Sequence, residues 1–149
     1  MPKVANILDM LRKTFDLLQN VESDRKPSRI HVHTLAYQAI IQRDDPETEL
    51  RWPNIQQAAA KASVTAIRHI CQKDEVVSEN AKILLDNSFR RSVDDGAERQ
   101  FIDPENPVTC WKEPGVRICL AVGLVCTNVA QTAGGGDNIS AAALAAQLP

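Results

Sequence analysis

No apolar run in this chain approaches the ~20 residues that a membrane-spanning helix needs; the best candidate, residues 118–126, is far too short. Charge of one sign is missing too. Lys and Arg number 17 against 19 Asp and Glu, a net charge of −2, so the chain lacks the basic footprint of a nucleic-acid-binding protein. Cysteine is sparse, and Cys71, Cys110, Cys119 and Cys126 show no Cys-x-x-Cys spacing. In a chain of this length the pattern predicts small buried hydrophobes, neither a zinc knuckle nor a disulfide frame. There is no Gly-x-x-x-x-Gly-Lys-Ser/Thr loop and no Gly-x-Gly-x-x-Gly fingerprint. No secretory signal opens the chain, since Met1-Pro2-Lys3-Val4 leads straight into an amphipathic pattern. The default expectation is a cytoplasmic protein.

What is present fits a single α/β domain. The 149 residues suffice for a core of their own, and 44% apolar with 24% charged residues is globular usage. Val4, Ile7, Leu8, Leu11, Phe15 and Leu18 recur at helical spacing and predict an amphipathic helix over residues 3–20. Beyond a turn at Lys26-Pro27-Ser28, β-rich residues predict a strand over 30–37. Residues 43–49 read as a loop. Residues 54–71 read as a second helix, whose face of Ile55, Ala59, Ala62, Ala66 and Ile70 is small enough to lie close on a sheet. A further short helix is expected within 78–91, a polar loop over 93–98, and a strand start at Phe101-Ile102. Residues 108–111 and 116–126 predict paired strands around the turn Lys112-Glu113-Pro114-Gly115; the second is nearly all apolar, as in a strand covered on both faces.

Three of the six glycines are consecutive, in Thr132-Ala133-Gly134-Gly135-Gly136-Asp137-Asn138-Ile139-Ser140, and strong helix formers follow at Ala141-Ala142-Ala143-Leu144-Ala145-Ala146-Gln147. A glycine turn opening a helix directs unpaired N–H groups and the positive end of the helix dipole at whatever sits in front, most often a phosphate. Gly134, Gly135, Gly136 and Asn138 are the candidate phosphate-binding residues. Asp137 is the odd member, because a carboxylate beside a phosphate is electrostatically costly. Proton abstraction from an attacking hydroxyl is a task that accounts for it. The motif alone leaves another reading open, a plain loop with Asp137 or Asn138 as the helix N-cap. Elsewhere, His31 and His33 share a strand face and can be imagined on a metal, but only His69 and Cys71 are obvious further ligands. Hydrogen-bonded structural histidines, or a wall of a nucleotide pocket, fit that pair better. Trp52 and Trp111 read as core or cap residues.

Three blocks carry a family likeness: Ser28-Arg29-Ile30-His31-Val32-His33-Thr34-Leu35-Ala36-Tyr37; Pro104-Glu105-Asn106-Pro107-Val108 with Trp111; and Leu124-Val125-Cys126 followed by Thr132-x-Gly134-x-Gly136-Asp137-x-Ile139-Ser140. In order and approximate spacing they resemble the C-terminal part of the ADP-dependent glucokinases, which are ribokinase-like kinases. That family's segments read Arg-Ile-His-x-His-Thr-x-x-Tyr and Thr-Val-Gly-Leu-Gly-Asp-x-Ile-Ser. The likeness runs loosely from about Val4 to the end. Ala133 and Gly135 replace the usual Val and Leu, which makes this loop looser, and Val129 stands where a proline is common.

The resemblance implies an α/β fold with a partial ribokinase-like sheet and flanking helices, residues 1–149 forming the C-terminal part of a kinase domain. It implies transfer of the β-phosphoryl of ADP to the 6-hydroxyl of glucose, giving AMP and glucose 6-phosphate with Mg²⁺. Asp137 would accept the sugar proton and serve the metal, while the loop N–H groups hold the phosphoryl and residues 125–132 border the adenine. The family's Asn-x-x-Glu and His-x-Glu motifs occur nowhere in these 149 residues. Most metal ligands and the sugar lid are therefore expected in an N-terminal part, a possible partner without which the chain is inactive. Animal members usually carry a targeting segment, so the endoplasmic reticulum is the alternative compartment. Two rival readings are a non-catalytic nucleotide- or phosphate-binding remnant, and a structural interaction protein whose glycine loop merely caps a helix.

Overall fold

The computed structural model describes residues 3–72 and 81–148. In chain order it comprises α1 (Val4–Gln19), β1 (Arg29–His33), β2 (Tyr37–Arg43), α2 (Pro46–Arg51), α3 (Ile55–Cys71), β3 (Ala81–Ile83), β4 (Ser88–Arg90), β5 (Arg99–Phe101), β6 (Val108–Glu113), β7 (Val116–Val122), β8 (Leu124–Cys126) and α4 (Gly135–Ala145). Successive residues of β2 and β7 are buried without alternation. Because strand side chains alternate sides, this requires a sheet covered on both faces. The sheet is antiparallel, in the order β1-β2-β7-β6.

One face carries Tyr37, Ala39 and Ile41 of β2, Ile118 and Leu120 of β7, and Trp111 of β6. It packs on Val4, Leu8, Leu11 and Phe15 of α1. The other carries Ile40, Cys119, Ala121 and Val108 and packs on Ile55, Ala58, Ala59 and Ala62 of α3, with Ala143 of α4. Alanines on α3 let two helices share that face. A polar clamp ties α1 to the edge strand β6. Arg12 donates to both carboxylate oxygens of Glu113 at 2.8 and 2.7 Å, and the Trp111 indole N–H donates to the same carboxylate at 2.7 Å. The hydrogen bond from Arg12 is the largest cause holding the Glu113 carboxyl below the ordinary carboxylate range.

Several expectations are corrected. Residues 43–49 are not all loop: Asp45 caps α2 by accepting the Thr48 N–H at 2.8 Å, with Pro46 at the first helical position. The expected strand over 30–37 is a hairpin, β1 and β2, whose turn is held by the Thr34 hydroxyl donating to the Tyr37 carbonyl at 2.8 Å. Of the helix expected within 78–91, residues 78–80 lie outside the described residues. The rest forms β3 and β4, paired with β8 and β5. The strand expected over 116–126 breaks at Gly123 into β7 and β8. The cysteines are disulfide-bonded, Cys71 to Cys126 and Cys110 to Cys119. Cross-strand register places Cys110 opposite Cys119, and the second pair joins the end of α3 to β8; neither juxtaposition leaves a spacing signature.

Gly123 is required by close approach. Its N–H donates to Ala36 O at 2.7 Å, and a Cβ there would stand 2.7 Å from the Ala36 carbonyl carbon. Gly123→Ala is expected to cost about 1–3 kcal/mol through overpacking against backbone, read as a lower urea midpoint with an unchanged slope. An unchanged midpoint would show that the two hairpins do not meet there.

Candidate functional site

The chain from β8 to α4 is built on the C-terminal end of α3. Ile70 O accepts the N–H groups of Ala130 and Gln131 at 3.0 and 3.2 Å, so exposed helix carbonyls find partners in the loop. His69 Nε2 lies 2.8 Å from Ala133 O, Gln72 Nε2 donates to Gln131 Oε1 at 3.0 Å, and the Cys71–Cys126 disulfide ties the start of the segment to the same helix.

Helix α4 starts at Gly135, well before the alanine run. Its N-cap is Gly134, in the left-handed region at φ 77°, with no side-chain cap. The N-cap reading of Asp137 or Asn138 is thereby corrected, since both lie inside the helix. Asp137 is exposed in the first turn, where a carboxylate meets the positive end of the dipole. Asn138 is turned onto its own loop, with backbone N–H and side-chain Nδ2 both donating to Gly134 O at 2.9 and 2.8 Å. Gly135 N–H makes a long bond to Thr132 O, 3.4 Å. The N–H groups of Gly136 and Asp137 have no acceptor among the described residues. The Gly134 N–H likewise has none.

Beside them lies a cleft of about 320 Å³. Gly135, Gly136 and Ile139 form one wall, His33, Thr34 and Leu35 of the first hairpin another, and Leu124, Val125, Cys126, Val129 and Thr132 a third. Gly134, Asp137 and Asn138 are not among the lining residues. A larger hollow of about 690 Å³ beside β6 and the first turn of α3 shares no residue with the loop. Its cations are engaged, Lys112 and Arg117 both with Asp44 and Arg117 also with Glu49. The open donors place the candidate site at the smaller cleft.

Strand β1 fixes α4 over the sheet. Arg29, His31 and His33 alternate and so share the face that carries α3 and α4. His33 abuts the glycine loop: a Cβ on Gly136 would stand 3.0 Å from His33 Cε1. His31 Nε2 is 2.7 Å from Gln38 Oε1. Gln38, 3% exposed, donates through Nε2 to Ala59 O and Ser63 Oγ, so its oxygen accepts and His31 carries the proton on Nε2. Ser63 passes the chain on to Val122 O. At the other end of α4, Arg29 Nε donates to Gln147 Oε1, and buried Gln147 donates to Gln42 Oε1 and Trp52 O at 3.3 and 3.2 Å. The sequence assigns no individual role to Arg29, which it shows within a motif block, or to Gln38, Ser63 and Gln147. The alternation of Arg29, His31 and His33 was the available signal for the first; nothing local marks the others. The metal alternative for the histidines finds no support in these contacts, and the described residues contain no group of three or more His, Cys, Asp or Glu placed to hold an ion. The loop itself offers a single carboxylate, Asp137, and no helix among the described residues is long and apolar enough to cross a membrane.

Residues 1–146 match the model of the ADP-specific phosphofructokinase/glucokinase conserved region. The chain belongs to this family. The ADP-dependent glucokinase of Bos taurus is 30% identical over 141 residues, which is 95% of this chain and 27% of that relative. A solved structure, the last common ancestor of ADP-dependent phosphofructokinases from Methanosarcinales, matches with a TM-score of 0.57 at 20% identity. The match covers 97% of this chain and 30% of the other, and agrees with a partial ribokinase-like fold. This member of the ADP-specific phosphofructokinase/glucokinase family thus spans between a quarter and a third of the length of the proteins it matches.

Two measurements test the β1–α4 contact in this family member. Burial, with smaller contributions from the charges of Arg29 and His33, lowers the His31 pKa from 6.5 to about 4 against the opposing Gln38 bond. Between those values the unfolded chain binds more protons. Stability from His31 is therefore complete above pH 6.5 and lost as pH falls to 4, on the order of 3 kcal/mol in all. The difference in unfolding free energy between wild type and His31→Asn should shrink across that window; a constant difference would contradict a buried neutral imidazole. Second, Gly136→Ala should be less favourable to stability in wild type than in a His33→Ala background, because the added methyl meets the His33 ring at 3.0 Å. Additive effects in that double-mutant cycle would mean that His33 does not press on the loop.

Proposed function

We propose that this chain is the C-terminal, phosphate-holding part of an ADP-dependent sugar kinase, with glucose as the acceptor. The observation that carries the reading is the pair of open N–H groups, on Gly136 and Asp137, at the start of α4, with Gly135 and Gly136 lining the cleft. In the reaction, the 6-hydroxyl oxygen of glucose attacks the β-phosphorus of ADP. The bond from that phosphorus to the oxygen bridging the two phosphates breaks, AMP departs, and the hydroxyl proton passes to Asp137. Loop N–H groups take up charge on the equatorial oxygens as it develops. Gly134 contributes the backbone conformation that opens the helix, and Asn138 braces it by holding Gly134 O. Val125, Cys126, Val129 and Thr132, in the stretch assigned to the adenine, all line the cleft, which supports a nucleotide there.

Mg²⁺ belongs to this reading as the ion that neutralises the transferring phosphates. It takes one or two carboxylates, substrate oxygens and waters. Asp137 alone does not make that site, so the other ligands are assigned to the remainder of the protein and no step is derived through the ion. A chain spanning 27% of its bovine relative is accordingly expected to be inactive by itself, with the missing N-terminal part as its partner. One observation favours a second reading, a binding remnant without chemistry: Asp137 is exposed and stands outside the cleft lining.

Titration calorimetry with ADP, AMP and inorganic phosphate separates both readings from a plain helix cap, which binds none of them. The catalytic role is tested after fusion to the N-terminal part of a family relative. Asp137→Asn keeps size but loses the proton acceptor, so kcat should fall roughly 10²–10⁴-fold while ADP affinity changes far less. If the carboxylate only complements the helix dipole, the substitution costs about 1 kcal/mol of stability at most and leaves turnover near normal.

A further inference from the structure

His69 lies outside the cleft lining, yet its ring makes the shorter of two hydrogen bonds to the peptide that opens the glycine loop, the other being Gln131 Nε2 to the same Ala133 O at 3.4 Å. It sits in the last turn of α3, and its Nε2 is 2.8 Å from Ala133 O. A carbonyl can only accept, so the imidazole donates through Nε2–H. A Cβ on Gly134 would lie 3.6 Å from the same nitrogen, so the ring is seated against the 133–134 peptide. In a trans peptide the carbonyl and the following N–H point in opposite directions. With Ala133 O held toward α3, the Gly134 N–H is turned away from it. Gly134 has no Cβ to resist rotation about this peptide. A half-turn would replace that N–H with a carbonyl oxygen, at the helix start where the Gly136 and Asp137 donors are open.

We propose that His69 is a positioning residue that locks the 133–134 peptide with its N–H outward and thereby sets the loop's affinity for the anionic end of a nucleoside diphosphate. The second half of this statement rests on the reading of the loop as a phosphate site; the first half does not. The test uses the full chain, labelled with ¹⁵N, and compares wild type with His69→Leu, which cannot donate, and His69→Gln, which can. ADP and inorganic phosphate should bind about five- to tenfold more weakly to the Leu variant, the worth of one hydrogen bond, and most of the loss should return in the Gln variant. The Gly134 amide resonance should move in the Leu variant and return in the Gln variant, with both variants melting at similar temperatures. Equal impairment of both variants would reduce His69 to packing, and a Leu variant with wild-type affinities and an unmoved Gly134 amide would overturn the proposal. If wild type binds neither ADP nor phosphate, the phosphate-site reading fails. The amide resonances then decide the locking role alone, displaced in the Leu variant and restored in the Gln variant if it holds, unmoved if it does not.

Discussion

The structure turns on a polar ladder along the edge of an otherwise apolar layer. Half-buried Arg29 and His31 and exposed His33 share the face of β1 that carries α3 and α4. Buried polar groups there must be paired or they cost more than the packing returns. His31 is satisfied by Gln38, which in turn is satisfied by Ala59 O and Ser63, and Ser63 by Val122 O. One chain of hydrogen bonds thus ties β1, β2, α3 and β7 together. Helix α4 can lie over this layer in one place only, with Gln147 on Arg29 at one end and Gly136 against His33 at the other. The position of the glycine loop follows from that fit.

Rigidity and freedom are divided between two neighbouring segments. The end of α3 supplies fixed acceptors and donors, in Ile70 O and His69, together with the disulfide to β8. The glycines supply a backbone that can turn sharply and leave N–H groups unpaired. Unpaired donors lower stability unless water or a ligand meets them. They stand beside a cleft, while the Asn138 N–H and Nδ2 both turn onto Gly134 O.

The same geometry bears on how much of the proposed chemistry these residues supply. Asp137 is exposed, and the first turn of α4 brings no second carboxylate to it. Phosphoryl transfer needs charge neutralised on several oxygens at once. An N-terminal helix turn with two open N–H groups can hold an anion, but the counter-charge for the rest of a diphosphate must come from elsewhere. The two proteins it matches are each more than three times as long as this chain.

The amino-acid sequence by itself determined α1, α3, the β6–β7 pair and the strand–glycine–helix order at the end of the chain, because apolar periodicity, turn residues and helix propensity are local properties. Through three motif blocks it also determined the family. It did not reveal α2, where one Asp and one Pro outweigh a loop-like composition, or the strands β3 and β4, which are too short to show a period. Only the tertiary structure decided which cysteines meet, since register brings Cys110 to Cys119 and a helix end brings Cys71 to Cys126. It also decided that Gly134 rather than Asp137 caps α4, because His69 and Ile70, far away in sequence, hold the preceding loop and start the helix early. Arg29, Gln38 and Gln147 gained their roles in the same way. A buried polar side chain is defined by the partner that satisfies it, and here that partner lies on another element of the fold.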